Sequence, residues 1–218
     1  MFEEFLIPLK ISIKVTIVAG FFVIILGTIA GRILSMKSFK GKTLLETILM
    51  LPLVLPPTVV GFLLLVIFGR QSYVGKMIEW VFKQPIVFTW WAAVIASIIV
   101  AFPLMYQSAK TGFQSVDNEI EEAARVCGAN EWNVFFLISI PLSLKAIISG
   151  SILSVARVLG EFGATLMFAG NIPGKTQTVP TAIYLAIDAG NMKMAWLWVL
   201  SMVLISFIML LVVQLKQK

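Results

Sequence analysis

With 59% hydrophobic and 13% charged residues, this chain of 218 residues lies outside the soluble range of roughly 45–50% and about 25%. The length suits one domain, residues 1–218, and the apolar excess makes a bilayer its solvent. The charge of +6 is scattered over short connections, which argues against a nucleic-acid face and for topology signals and lipid contact; the lack of histidine and the lone Cys127 argue against base catalysis, a metal centre and an internal disulfide.

A membrane-spanning helix needs about 20 apolar residues. In chain order, the qualifying segments are Ile11–Ile29, Leu44–Phe68, Val87–Tyr106, Leu142–Ala169 and Ala195–Val213, so the expected fold class is all-α and polytopic with about five transmembrane helices. These runs are apolar on every side, unlike surface helices of a soluble bundle. The first has no A-x-A-like cleavage site and is expected to be retained as a membrane helix. It is followed by Arg32, Lys37, Lys40 and Lys42, and the chain ends in Lys216 and Lys218. Placing both basic stretches inside satisfies the positive-inside rule, although Arg70, Lys76 and Lys83 in an outer loop weaken the bias.

The second segment contains Pro52, Pro56 and Pro57, then Thr58. Each proline removes a backbone donor and clashes one turn back, so a straight helix is excluded. Freed carbonyls inside a membrane must be satisfied by protein or a water-filled cavity. Pro56, Pro57 and Thr58 are therefore read either as a packing kink or as a broken helix beside a pathway.

Between the third and fourth segments lies a polar interval, about 110–141, with a fixed spacing: Glu122-Ala123-Ala124, three residues, Gly128, nine residues, Ile138, one residue, then Ile140-Pro141. Glu119, Glu121 and Glu122 sit where carboxylates favour the positive end of a helix dipole. The fourth segment carries Arg157, Gly160, Glu161, Gly163 and Thr165. Intramembrane charges cost at least ~2.5–3.5 kcal/mol each, so these are paired, functional or both. Arg157 and Glu161 are four apart and can share a helix face, while Gly160 and Gly163 allow close backbone approach. Ala169–Thr176 looks superficially like a phosphate loop. Its first glycine is missing, Pro173 intrudes and no strand precedes it, so it reads as a turn. Beyond it, Pro180 and the apolar run Ala182–Ile187 suggest a segment lying along, or dipping into, the outer face. No catalytic constellation is present in the sequence.

The spacing from Glu122 to Pro141 resembles the EAA-x3-G-x9-I-x-L-P loop of ATP-binding cassette (ABC) importer permeases, with Ile140 in place of the usual leucine. The run from Arg157 to Thr165, the loop Gly170–Thr178 and the proline-rich second segment are similar to the permease subunits of molybdate importers; sulfate permeases share the core but diverge in the loop. The resemblance implies a type I ABC importer permease fold in a prokaryotic plasma membrane, with no active site, cofactor or metal of its own. It also implies a homodimer, two cytoplasmic ABC ATPase subunits holding ATP and Mg, and an external binding protein that delivers an oxyanion. Molybdate is the expected substrate, with tungstate or sulfate as alternatives; a stand-alone secondary transporter leaves the loop spacing unexplained. The implied coupling residues are Glu121, Glu122, Ala123, Ala124, Gly128, Ile138 and Pro141. The implied pathway residues are Arg157, Gly160, Glu161, Gly163, Thr165, Pro56, Pro57 and Thr58.

Overall fold

A computed structural model describes residues 2–217, and side chains from 3 to 211; Lys216 and Lys218, invoked above for topology, lie outside the described side chains. Among the described residues there is no strand. Four helical stretches are long and apolar enough to cross a membrane: Glu3–Met36, Trp90–Gln114, Glu131–Leu159 and Met192–Leu211. A bent pair, Lys42–Val54 and Pro57–Phe68, would make a fifth crossing.

The first helix, α1, runs from Phe2 to Met36. After a basic turn come α2 (Lys42–Val54) and α3 (Pro57–Phe68), whose axes differ by 117°. The bend follows from the prolines. Leu55 and Pro56 each precede a proline, which disfavours helical backbone, and both are extended, with ψ of 143° and 134°. Pro57 then starts α3, where its missing donor costs nothing. A surface helix, α4 (Tyr73–Phe82), leads to α5 (Trp90–Gln114).

Helices α1 and α5 run parallel along a seam of small residues. A Cβ added at Gly27 would lie 2.5 Å from Met105 Cγ, and one at Gly31 would lie 2.8 Å from Ala109 Cβ. Lipid tails give apolar side chains no reason to prefer each other, so close packing through small residues must hold such helices together. Because α1 and α5 point the same way, the intervening bent pair has to return the chain across the membrane.

The polar interval begins later than expected, since α5 continues through Gln114. It consists of α6 (Asn118–Val126), a single turn α7 (Glu131–Val134) and a π-helical segment, Phe135–Ser139, that merges into α8 (Ile140–Leu159). Pro141 explains the π register: its ring would strike the carbonyl one α-turn back, and the wider π turn relieves the clash. The Ile140 N–H accordingly donates to the Phe135 carbonyl. Helix α8 runs antiparallel to α5, with Gly112 facing Ala146 and Gly150 facing Ser108.

The fourth crossing differs from the expected Leu142–Ala169. The helix stops at Leu159, and the chain turns at Gly160–Phe162 into a separate short helix, α9 (Gly163–Phe168). Hydropathy misses this end because Glu161 supplies the stop: its Oε1 accepts the Ala164 N–H at 2.8 Å and caps α9. The apolar run after Pro180 forms α10 (Val179–Asp188), buried at Val179, Thr181, Ala182 and Ala186, and α11 (Met192–Gln217) completes the chain. Ser12 of α1 accepts the Val179 N–H at 2.8 Å, and Trp198 Nε1 donates to the Phe5 carbonyl at 3.1 Å, so α10 and the start of α11 sit at the N-terminal end of α1.

The seam makes a direct prediction. Gly27→Leu inserts side-chain atoms where Met105 already lies, and overpacking costs about 1–3 kcal/mol. The thermal unfolding midpoint in detergent is expected to fall, and an unchanged midpoint would mean that the seam does not hold α1 against α5.

Candidate functional site

The polar interval folds into a knob at the end of the bundle where α1 and α5 finish and α8 begins. Asp117 caps α6 by accepting the Glu119 N–H at 3.0 Å, and Asn130 caps α7 by accepting the Asn133 N–H at 2.8 Å. Helix α6 closes in a Schellman turn: the Gly128 N–H donates to the Arg125 carbonyl and the Ala129 N–H to the Ala124 carbonyl. Gly128 stands at φ +91°, which favours glycine, while a Cβ there would meet nothing within 4 Å. Its requirement is therefore conformational rather than steric within this chain.

Glu121 is the centre of the knob. It is turned inward and 4% exposed, although its sequence position suggested a carboxylate on the docking surface. Arg32, near the end of α1, donates to both carboxylate oxygens, at 2.8 and 2.9 Å. Ser139 Oγ donates to Oε1 at 2.7 Å, and Arg125 approaches Oε2 at 3.3 Å while also bonding Glu131 at 2.7 Å. The π segment is what turns Ser139 inward. These charge-assisted bonds, the Arg32 guanidinium foremost, hold the Glu121 carboxyl below the usual range against the opposing effect of burial. Arg32, Ser139, Arg125 and Glu131 were not among the sequence candidates. The basic cluster after the first span pointed at Arg32, but only as a topology signal.

The remaining coupling candidates divide by exposure. Glu122, Ala123 and Gly128 face outward, as does Pro141 in the first turn of α8, whereas Ala124 and Ile138 are partly buried. Around Ala123 the knob shows apolar side chains to solvent: Ile120, Val126, Cys127 and Trp132 are exposed. An element that shows these apolar side chains beside the exposed carboxylates of Glu119 and Glu122, with only Glu121 turned inward, presents a mixed contact surface.

The second candidate set also comes together. The start of α9 packs on the proline bend: a Cβ on Gly163 would lie 3.0 Å from Pro57 Cβ and 3.3 Å from the Thr58 nitrogen. Thr165 is buried, while Pro56 and Thr58 are exposed. Arg157 Nη1 lies 2.7 Å from Glu161 Oε2, so the expected pair forms, but across the end of α8 rather than along a continuous helix. Glu161 is 3% exposed and Arg157 partly so. Ser12, Thr16, Ser97, Thr165 and Thr178 surround Glu161 in a small polar recess. Gly160 is exposed and, among the described residues, no other helix crosses it, so its expected close approach is absent there. The phosphate-loop look-alike is a turn: three successive N–H groups, of Lys175, Thr176 and Gln177, converge on the Ile172 carbonyl, and the buried Thr176 hydroxyl accepts the Ile172 N–H at 2.9 Å. Among the described residues no cluster of acidic or cysteine side chains could hold a metal.

Residues 23–218 match the family described as the binding-protein-dependent transport system inner membrane component. The molybdenum transport system permease protein ModB of Escherichia coli (strain K12) is 45% identical over 82% of this chain and 78% of its own. YvgM of Bacillus subtilis (strain 168), whose name assigns it provisionally to molybdenum transport as a permease, is 64% identical over 99% of this chain and 95% of its own. A sulfate transport system permease protein, CysW of Synechococcus elongatus, is 32% identical over 79% of this chain and 61% of its own. Among solved structures, the inward-facing MetNI methionine ABC transporter superposes with a TM-score of 0.75 at 14% identity, covering 98% of this chain and 94% of that chain. A bacterial alginate ABC importer gives 0.75 at 15% identity, covering 99% and 78%. These two share the fold, type I importer permease architecture.

The Glu121 cluster sets a pH dependence for the knob. A carboxyl whose folded pKa is depressed stabilises the fold above its unfolded value, near 4.5, and that contribution is lost as pH falls through the folded value. A fluorophore on the exposed Cys127 is therefore expected to keep constant anisotropy from neutral pH down to 4.5 and to loosen only below it. In Glu121→Gln the neutral side chain gives up its pairing with Arg32, and the acid-dependent step should shrink to what the exposed Arg125–Glu131 pair contributes.

Proposed function

Because this chain belongs to the inner membrane components of binding-protein-dependent transport systems, we propose that it is the molybdate-translocating subunit of an ABC importer, working as a homodimer with two cytoplasmic ATPase subunits and an external binding protein. The observation that carries the coupling role is the knob: a small exposed surface around Glu122, Ala123 and Gly128, with Ile120, Val126 and Trp132 beside them, anchored by a buried carboxylate. The 45% identity with the Escherichia coli molybdenum permease exceeds the 32% with the sulfate permease, which favours molybdate over sulfate.

In this reading the knob faces the cytoplasm, the N-terminus and the segment 170–193 face outward, and ATP and Mg belong to the ATPase partners. One knob engages one ATPase, so two copies related by a two-fold axis match a pair of ATPases. ATP binding draws the ATPases together and the docked knobs with them. Arg32 transmits that displacement, because its two bonds to Glu121 join α6 of the knob directly to α1, in addition to the helical continuity into α8. Helix α1 carries α5 with it through the glycine seam, and the bundle opens toward the binding protein. The translocated species is an anion, and the partly exposed Arg157, steadied by Glu161 beside the α9–proline junction, offers it a fixed positive charge.

Two outcomes test this. In vesicles holding the permease, ATPase and binding protein, Arg32→Gln is expected to retain ATP hydrolysis while molybdate uptake per ATP falls several-fold. Loss of the pair leaves a buried carboxylate undercompensated at a cost of about 3 kcal/mol, so the thermal midpoint should fall as well. Unchanged uptake per ATP would exclude transmission through Arg32. Cys127 should react with a membrane-impermeant maleimide only from the cytoplasmic side, and Lys175→Cys only from outside; reversal of both would overturn the orientation and the importer reading with it.

A further inference from the structure

Helix α4 is amphipathic with its faces inverted relative to a helix on a soluble protein. Gly75 is pressed against the preceding turn, where a Cβ would lie 2.0 Å from the Gly69 carbonyl oxygen. Ser72 locks that turn, accepting the Gly75 N–H at 2.8 Å and donating to the Gly69 carbonyl at 2.8 Å. The rotation of α4 is thereby fixed. At 100° per residue, with Gly75 inward, the outward face is formed by Tyr73, Met77, Trp80 and Val81, which are 94%, 63%, 75% and 55% exposed. An aromatic face of this size on a folded chain needs an apolar cover.

Three features identify the cover. The first is level. Exposed Trp91 in the opening turn of α5, Trp196 near the start of α11 and Tyr184 on α10 all lie at the end of the bundle away from the knob, as does α4. Tryptophan and tyrosine gather where acyl chains meet headgroups. The second is charge. Exposed Arg70, Lys76 and Lys83 border the helix against one acid, Glu79, so the rim complements anionic headgroups. The third is space. Between α4 and the start of α5 is a cavity of about 330 Å³ walled by Ile78, Phe82, Ile86, Trp91 and Ile95, of a size and polarity that suit an acyl chain.

We propose that α4 is an interfacial helix. It lies in the headgroup layer at the end opposite the knob, with Tyr73, Met77 and Trp80 in the acyl boundary and its basic rim on anionic phospholipid. Through Gly69–Ser72 it fastens the end of the bent pair to the membrane plane. The inference does not depend on the transport reading.

The test uses nitroxide labels on full-length protein carrying Cys127→Ser, reconstituted in phosphatidylethanolamine–phosphatidylglycerol vesicles. Met77→Cys, Trp80→Cys and Lys76→Cys are labelled one at a time, and collision with oxygen is compared with collision with a water-soluble nickel chelate. Oxygen is expected to dominate most at 77 and the nickel chelate at 76, with 80, which lies one turn beyond 76 and about 40° from it, still on the oxygen side but shallower than 77. Nickel dominance at all three positions would place the helix in water and overturn the proposal. Protection of 77 and 80 from both reagents would mean that protein covers the face, a second copy or another chain, and would overturn it too. Replacing phosphatidylglycerol by phosphatidylcholine should make the labels at 77 and 80 shallower; unchanged depth would remove the anionic-headgroup part.

Discussion

The ion pair between Arg32 and Glu121 is the constraint on which the architecture of the knob depends. The two residues are 89 positions apart, yet the guanidinium grips both carboxylate oxygens in a nearly dry setting. A nine-residue polar helix such as α6 is too short to persist alone. Its carboxylate can be buried only because α1 delivers a fixed positive charge, the π segment delivers a hydroxyl, and Arg125 closes the remaining side. Removing one partner leaves the others holding a charge they cannot compensate. This is why a side chain at the end of a membrane helix governs a surface element far along the chain.

Everything above the knob depends on close helix contact. In lipid, α1, α5 and α8 approach through glycine, alanine and serine, with Met105 of α5 laid over Gly27 of α1 and Gly150 of α8. The proline bend and the α9 turn are a second such contact, where Gly163 lets the α9 start rest on Pro57 and Thr58. Irregular backbone at this depth is tolerated only where protein or water covers it, and here two irregular segments from distant parts of the chain pack on each other. The family's transport role thus has a structural basis in two rigid junctions joined by one tightly packed seam.

Much of this was legible in the residues themselves. The three prolines excluded a straight second span and left a kink or a broken helix, and the backbone breaks between Val54 and Pro57. The loop from Glu122 to Pro141 is a compact knob, and the Arg157–Glu161 pair forms. Other features were hidden because they rest on contacts that sequence distance conceals. Arg32 read as one basic residue in a topological cluster, since nothing local links it to Glu121. Ser139 gained its position from a π turn that only the clash of Pro141 creates. The fourth span ended early because a buried glutamate capped the next helix, whereas hydropathy saw only an apolar run. Gly128 was read as a small docking residue, and its backbone angle supplies a reason that spacing alone could not. The outward aromatic face of α4 was equally invisible without knowing that Gly75 points inward.

The most direct test of the account is whether α1 and the knob move as one body. Spin labels on native Cys127 and on Met36→Cys report the distance between the knob and the end of α1 by pulsed double resonance, in the reconstituted complex with and without ATP. The account predicts that this intramolecular distance stays constant through the nucleotide cycle while the distance between the Cys127 labels of the two copies shortens on ATP binding. A knob that shifts relative to Met36 while the intermolecular distance changes would contradict it.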